Sequence, residues 1–400
     1  MNPFCFTTLA VLSAVSQLAN GWWDNGHMLV SEIATQTMAP ADVTTVNTLL
    51  AMYDADFPNT GSITTAAIWG DLIKCNSVVS TFCPSTKTPA LNMMDEWHYV
   101  NLPLNVNGTD YKNLNSTTGD ALVKEAFGGQ ALDFLNKALT MFSKTKSAHS
   151  ANWALRMVLH VFGDISNPMH NVGGVNSVFP AGDLGGNKFL FKAPCVGTNL
   201  HAIWDSVGGK YGTVNWSPTF TPGTADYTAL QTNATALLTK YAAVQDKLAF
   251  ASVKDVDYAK FVSAMSAKPA MKIQATILES YDVARHVAYK NIDLNCTLDD
   301  KGMCVNPCPS SDYVNALIDT AEASITIQGK RMSVILTQFA KQIRALNLLS
   351  PIVPTTTTVS PTAGPTTSTV APTPAPTSAP TPAPTNTTTT PAPTTTHAAC

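Results

Sequence analysis

His160 and Asp164 stand four residues apart, as do His201 and Asp205, and His170 follows Asp164 after five intervening residues. On a helix, residues i and i+4 share a face about one turn apart, so each pair offers an imidazole beside a carboxylate. That donor set suits zinc in sites that keep a position open for water. Pro168 is expected to stop the first helix, letting the chain turn so that His170 approaches a second metal. His27, in Trp22-Trp23-Asp24-Asn25-Gly26-His27, then Asp71 and His98 extend the set to five of the eight histidines. One histidine on an apolar face is ordinarily a satisfied core residue, but five in clusters with aspartates read as ligands. His149, His286 and His397 lack such company and are read as structural. The chemistry implied is hydrolysis by a water that bound zinc brings to ionise near neutral pH.

Such ligands need rigid elements, and the apolar spacing supplies helices almost throughout. Leu132, Leu135, Leu139 and Phe142 form one stripe, and Trp153, Met157 and the 160–164 segment form another. Further stripes run through 237–241, 273–281 and 314–339, while strand-like alternation is scarce and no internal repeat is evident. Gly-rich loops such as 182–187 interrupt the pattern. The expected fold class is all-α, with one mainly helical domain over residues 22–350.

Residues 1–21 read as a signal peptide: 4–15 are apolar and too short to span a bilayer, and Ala19-Asn20-Gly21 fits a cleavage site. No basic residue precedes the apolar stretch, so that reading rests on the stretch and the site. Cleavage after Gly21 leaves Trp22 as the new N-terminus. The remaining cysteines, Cys75, Cys83, Cys195, Cys296, Cys304, Cys308 and Cys400, are expected to form disulfides in an exported chain. Six precede the tail, their pairing is open, and at least one local bridge is expected among Cys296, Cys304 and Cys308. Sequons at Asn107, Asn115, Asn233, Asn295 and Asn386, with a weaker one at Asn215, fit the same route.

With a net charge of −3 and 13% charged residues, the chain has no basic footprint for duplex DNA. A nucleic-acid substrate would have its phosphates met by bound cations. Residues 351–400 contain no Lys, Arg, Asp or Glu and are dominated by Thr and Pro. Such a segment buries no core and is expected to be a disordered, O-glycosylated tail. It does not end in the apolar stretch of a lipid-anchor signal, and no membrane span is expected.

Taken in order, these motifs resemble one family: the zinc-dependent, single-strand-preferring nucleases. It includes secreted fungal enzymes, plant bifunctional nucleases and trypanosomatid 3′-nucleotidase/nucleases, and shares its helical fold with bacterial zinc phospholipases C. The carrying residues are Trp22-x4-His27, Trp69-x-Asp71-x2-Lys74, His98-Tyr99-Val100-Asn101, His160-x3-Asp164-x5-His170, Gly185-Gly186-Asn187 and Asn199-Leu200-His201-x2-Trp204-Asp205. They span roughly residues 22–290. The resemblance implies a trinuclear zinc cleft in which Asp71, His98, His160 and Asp164 hold one zinc. Trp22, through its free amine and carbonyl, holds a second with His27 and a bridging Asp164. His170, His201 and Asp205 hold the third. It further implies that Lys74 stabilises the transition state, that Asp71 helps orient the attacking water, and that Tyr99 stacks on a base. Asn101 stands where fungal members carry a carboxylate that meets the base, and Asn187 is expected near the substrate. Ser166-Asn167 replace the family's usual His-Gln before Pro168.

The function implied is a secreted endonuclease and 3′-nucleotidase, monomeric, acting on single-stranded RNA, DNA and 3′-nucleotides and releasing 5′-nucleotides. The tail is a candidate for retention at the cell surface or wall. A zinc phospholipase C of the same fold is the alternative enzyme; there the third zinc usually takes His-x3-Glu, whereas this chain has His201-x3-Asp205. A non-catalytic surface protein whose mucin-like tail carries the function is the third reading.

Overall fold

Helices form where the apolar spacing predicts them. The computed structural model describes residues 22–75, 92–105, 119–212, 214–290, 292, 296, 298–300 and 304–350. The expected signal peptide and tail, Cys83, Cys400, His397 and the sequons at Asn107, Asn115, Asn295 and Asn386 lie outside them. The α-helices are α1 (Asp24–Thr37), α2 (Pro40–Ala51), α3 (Ile63–Ala66), α4 (Trp69–Leu72), α5 (Gly119–Lys124), α6 (Ala131–Phe142), α7 (Ala148–Asp164), α8 (Leu200–Asp205), α9 (Ala225–Lys240), α10 (Tyr258–Ser266), α11 (Lys272–Val283) and α12 (Ser311–Ala345). The all-α class holds. Among the described residues four strands, β1 (Leu102–Asn105), β2 (Val172–Val175), β3 (Phe189–Phe191) and β4 (Cys304–Asn306), make two parallel pairs. They are too short for alternation to register in the sequence.

The 35-residue α12 is the spine of the fold. Ser310 caps it by accepting the Tyr313 N–H, and Leu317, Ala321, Ile325, Met332, Leu336, Phe339 and Ile343 form its buried stripe. It packs along α1, α2 and α9. At Gly329 the helices α1 and α12 approach so closely that a Cβ would lie 2.4 Å from Ile33 Cγ2 and 2.8 Å from the Val30 carbonyl oxygen. Gly329→Val is therefore expected to overpack this crossing and cost about 1–3 kcal/mol of stability, read as a lower urea midpoint. An unchanged midpoint would mean that α1 can shift freely. Among the described residues no helix is long and apolar enough to cross a membrane.

α7 begins at Ser147, whose Oγ accepts the Ser150 N–H at 3.2 Å. All its residues from Ala154 to Asp164 are buried. A helix interior on every side carries polar groups only where they have partners, and α7 carries Arg156, His160 and Asp164 there. α7 ends at Asp164, before Pro168 rather than at it. The residue preceding a proline is pushed out of helical geometry. Asn167 accordingly adopts φ −83°, ψ 123°, and its side chain accepts the Met169 N–H to start the 3₁₀ turn Pro168–His170.

The β1–β2 register, Leu102 against Val172, sets the segments preceding the two strands side by side. The Val100 N–H donates to the His170 carbonyl at 2.8 Å, which brings the His98 and His170 region together across the chain. β3 pairs with β4, and disulfides Cys296–Cys304 and Cys195–Cys308 fasten that region. The expected local bridge is present as Cys296–Cys304.

Candidate metal centre

The histidines and aspartates singled out by spacing converge in the interior. His27, His98, His160, His170, His201, Asp71, Asp164 and Asp205 are all at least nine-tenths buried. Asp164 is the hub: one carboxylate oxygen stands 3.2 Å from His27 Nε2, and the other 3.0 Å from His98 Nδ1 and 3.5 Å from His160 Nε2. Asp71 Oδ1 lies 3.6 Å from His160 Nε2 and 3.9 Å from His98 Nδ1. Apart from these, His201 Nε2 stands 3.2 Å from Asp205 Oδ2 and 3.2 Å from His170 Nε2. Among the described residues, three groups have potential ligand atoms within 4.8 Å of one another: His27, Asp71 and His160; His98, His160 and Asp164; His170, His201 and Asp205. The His27 ring stacks on His160 with centroids 4.0 Å apart. His27 thus reaches the Asp71 side as well as Asp164, and the first two expected ligand sets form one continuous cluster.

Close approach of helices makes this possible. A Cβ at Gly70 would meet His160 Cδ2 at 2.7 Å, and one at Gly163 would meet His27 Nδ1 at 2.7 Å. Gly70 lets α4 settle on α7, and Gly163 lets the His27 ring lie against α7.

Backbone carbonyls set the ring orientations. His160 Nδ1 donates to the Ala67 carbonyl at 2.7 Å, His170 Nδ1 to that of His98 at 2.7 Å, and His201 Nδ1 to that of Gly185 at 2.8 Å. A neutral histidine whose Nδ1–H is engaged this way presents an unprotonated Nε2, the form in which it ligates a metal. His170 and His201 therefore point two lone pairs at each other across 3.2 Å, with an Asp205 oxygen 3.2 Å from one of them. Converging acceptors repel unless a cation sits among them. In the larger cluster, both His27 ring nitrogens and both Asp164 oxygens are buried without a well-aligned hydrogen bond among the described residues. Buried polar atoms left in this state are costly, and divalent cations satisfy both groups.

The electrostatics divide: against its burial, Asp164 and Asp71 raise His160 to about 8, whereas other groups are held in the states a metal needs. Burial would raise the Asp164 carboxyl, but His160, His170 and His27 outweigh it and hold Asp164 well below the usual carboxylate range. Asp71 is held down likewise against its burial by Lys74 and His160. His98, buried and facing the Lys74 charge, is pushed down to about 4. Ionised carboxylates beside a neutral imidazole are the protonation states a metal needs. Burial pushes Asp205 well above the carboxylate range, opposed by a hydrogen bond from Asn167.

The other expected residues divide. Lys74 is buried, with Nζ 2.9 Å from Asp71 Oδ1 and 3.8 Å from Asp95 Oδ1. The Trp22 side chain is buried with its indole N–H on Ser166 Oγ at 2.9 Å, and the Trp23 N–H donates to the Asp205 carbonyl at 3.0 Å. These contacts seat the N-terminal end of α1 against the turn after α7 and against α8. Tyr99 is half-buried over Gly128 and Gly129; at Gly129, with φ +98°, a Cβ would clash with the Tyr99 carbonyl at 2.1 Å. Asn101 clips the same turn through its backbone, donating to Gly128 at 3.0 Å and accepting from Phe127 at 2.9 Å. The Asn187 side chain donates to the Leu184 carbonyl at 2.9 Å and so braces its own turn. His149 and His286 stand apart from the ligand groups, His149 edge-on to Tyr53 and His286 on the Asp282 carbonyl.

Sequence reasoning missed the residues behind the histidine–aspartate groups. Asp183 accepts the Gly174 N–H and the Tyr289 O–H, holding the loop that offers the Gly185 carbonyl to His201. Its place two residues before Gly185-Gly186 was the available signal.

Residues 22–341 match the family model described as S1/P1 nuclease. Endonuclease 3 of Arabidopsis thaliana is 27% identical over 198 residues, covering 48% of this chain and 57% of that protein. Nuclease S1 of Aspergillus oryzae is 24% identical over 200 residues, covering 49% and 58%. Endonuclease 2 of Arabidopsis thaliana is 24% identical over 189 residues, covering 47% and 56%. The matched stretch is thus little more than half the length of each of these curated relatives.

Proposed function

Because the chain belongs to the S1/P1 nuclease family, we propose that it is a secreted zinc-dependent endonuclease and 3′-nucleotidase. Its substrates are single-stranded RNA, single-stranded DNA and 3′-nucleotides, and its products are 5′-nucleotides. The observation that carries the reading is the convergence of five histidines and three aspartates, all buried, with ligand atoms grouped closely enough to share metal ions.

In this reading Asp71, His98, His160 and Asp164 hold one zinc. The Trp22 amine and carbonyl, His27 and the shared Asp164 hold a second, and His170, His201 and Asp205 a third. When bound, the ions supply Lewis acidity to phosphoryl oxygens and bring a water to ionise near neutral pH. The protein supplies the rest. The Lys74 ammonium meets the charge that builds on phosphorus-bound oxygens, and Asp71, against which it is held, orients the water. Tyr99 stacks on the base beside the scissile bond, Asn101 offers that base both donor and acceptor, and Asn187 borders the substrate. The proposed processing removes residues 1–21, leaves residues 22–350 as the catalytic domain and makes residues 351–400 an O-glycosylated tail suited to retention at the cell surface.

Two results test the roles. Lys74→Met keeps the buried volume and removes the charge; turnover is expected to fall about 10²–10³-fold, the scale for losing one transition-state donor, with zinc content unchanged. Loss of zinc equal to that of a ligand variant would make Lys74 a structural partner of Asp71 only. Tyr99→Ala is expected to weaken nucleotide binding by roughly 1–3 kcal/mol, and single strands to be cut faster than duplex, because extruding a base costs a few kcal/mol. Equal rates on both, with an indifferent Tyr99→Ala protein, would mean that no base is read there.

The deciding experiment assays purified protein on a single-stranded oligonucleotide, the matching duplex, RNA, 3′-AMP and phosphatidylcholine, with zinc and after chelation. Zinc-dependent 5′-phosphorylated products support the reading. Cleavage of phosphatidylcholine alone would make the chain a phospholipase, and inactivity on all five would make its metals structural.

A further inference from the structure

The turn leaving α7 differs from the family's usual pattern at Ser166-Asn167, and both side chains hydrogen-bond residues of the proposed metal centre, Trp22 and Asp205. Ser166 is 7% exposed and Asn167 fully buried. Ser166 Oγ accepts the Trp22 indole N–H at 2.9 Å and donates to the Gly163 carbonyl at 2.7 Å. Asn167 Nδ2 donates to Asp205 Oδ1 at 2.7 Å. The amide orientation is settled by its surroundings: Asn167 Oδ1 accepts the Met169 N–H at 3.0 Å, so the NH₂ end must face the carboxylate. The turn itself is stiff. Asn171 Nδ2 spans it, donating to the Ile165 and Asn167 carbonyls at 2.9 Å each, and the Asn167 N–H returns to Asp164 at 2.9 Å.

One carboxylate oxygen of Asp205 is thus occupied by Asn167, and the other, 3.2 Å from His201 Nε2, is aimed at the His170–His201 pair. The Trp22 side chain is anchored to the same turn one residue earlier. We infer that Ser166 and Asn167 are positioning residues that hold Trp22 and Asp205 in one rigid frame, Ser166 presetting the N-terminal zinc ligand and Asn167 the ligand geometry of the third zinc. This rests on the three-zinc reading above. It gives two adjacent side chains, one hydroxyl and one amide, separate tasks at separate ions.

The separation makes the inference testable through metal affinity, without reference to turnover. Zinc would be measured per chain by elemental analysis and by titration against a chromophoric chelator, on secreted full-length protein processed to Trp22. Removing a hydrogen bond to a metal ligand typically weakens the ion about 10–100-fold. Asn167→Ala is expected to weaken one of the three ions on that scale and leave two at parent affinity. Asn167→Gln, which retains an amide donor, is expected to recover most of the loss. Ser166→Ala is expected to weaken a different ion, so that combining Ser166→Ala with Asn167→Ala weakens two. Cobalt substitution identifies them, since each variant should perturb a different part of the visible absorption.

Parent affinity for all three ions in Asn167→Ala and Ser166→Ala overturns the inference, and so does uniform weakening of every ion, which marks a general loss of structure. A parent chain that itself binds fewer than three zinc ions overturns the reading beneath it and the inference with it. The two failures are distinguished by the parent measurement alone.

Discussion

Asp164→Asn is expected to lower phosphodiesterase turnover by about 10³-fold or more, since the metal contribution to such a transition state is several kcal/mol. Asparagine has the shape of aspartate, so the interior around position 164 survives, but a charge facing four histidines is gone. In the native arrangement one Asp164 oxygen faces His27 and the other faces His98 and His160. A carboxylate so placed can bridge two ions, and an amide oxygen beside an N–H pair cannot. The loss is therefore expected at two metals together. Elemental analysis should find the variant depleted of two zinc ions per chain while the His170–His201–Asp205 group keeps its own. A variant with full zinc and turnover within tenfold of the parent would remove Asp164 from the centre of the mechanism.

A chain that begins even one residue before Trp22 is expected to lose one zinc and at least about 10²-fold of activity, at or above the cost of weakening one ligand's support. A peptide bond converts the proposed ligand, a free amine, into an amide that binds zinc poorly. The Trp22 side chain cannot swing out of the way without cost, because it is buried and its indole N–H is held by Ser166. The check is a matched pair of proteins, one cleaved to Trp22 and one carrying a single extra glycine, with termini verified by mass spectrometry. Equal zinc and equal activity in the pair would end the case for an N-terminal ligand. On the proposed N-terminal ligand, removal of residues 1–21 would be the event that completes the site.

Much of the centre could be read along the chain, for a local reason. Helical geometry turns His160-x3-Asp164 and His201-x3-Asp205 into paired donors wherever those helices lie, so spacing alone marked α7 and α8 as carriers of paired imidazole and carboxylate groups. The same periodicity marked the long buried stripe of α12. Tertiary structure decided the rest. His98 and His170 meet because a four-residue parallel pairing, too short to leave a sequence signal, sets β1 beside β2. The nitrogens that face inward are chosen by the carbonyls of Ala67, His98 and Gly185, and every residue has a carbonyl, so none is marked in advance. Arg156, one turn before His160, illustrates the limit. It is buried on neutral acceptors from Leu50, Asn152 and Thr60, beneath Phe57 and Trp69. By sequence it is one more charge on a helix. Residue spacing determines which side chains share a face; only long-range packing determines what that face meets, because its partners come from segments whose own sequence carries no mark of the encounter.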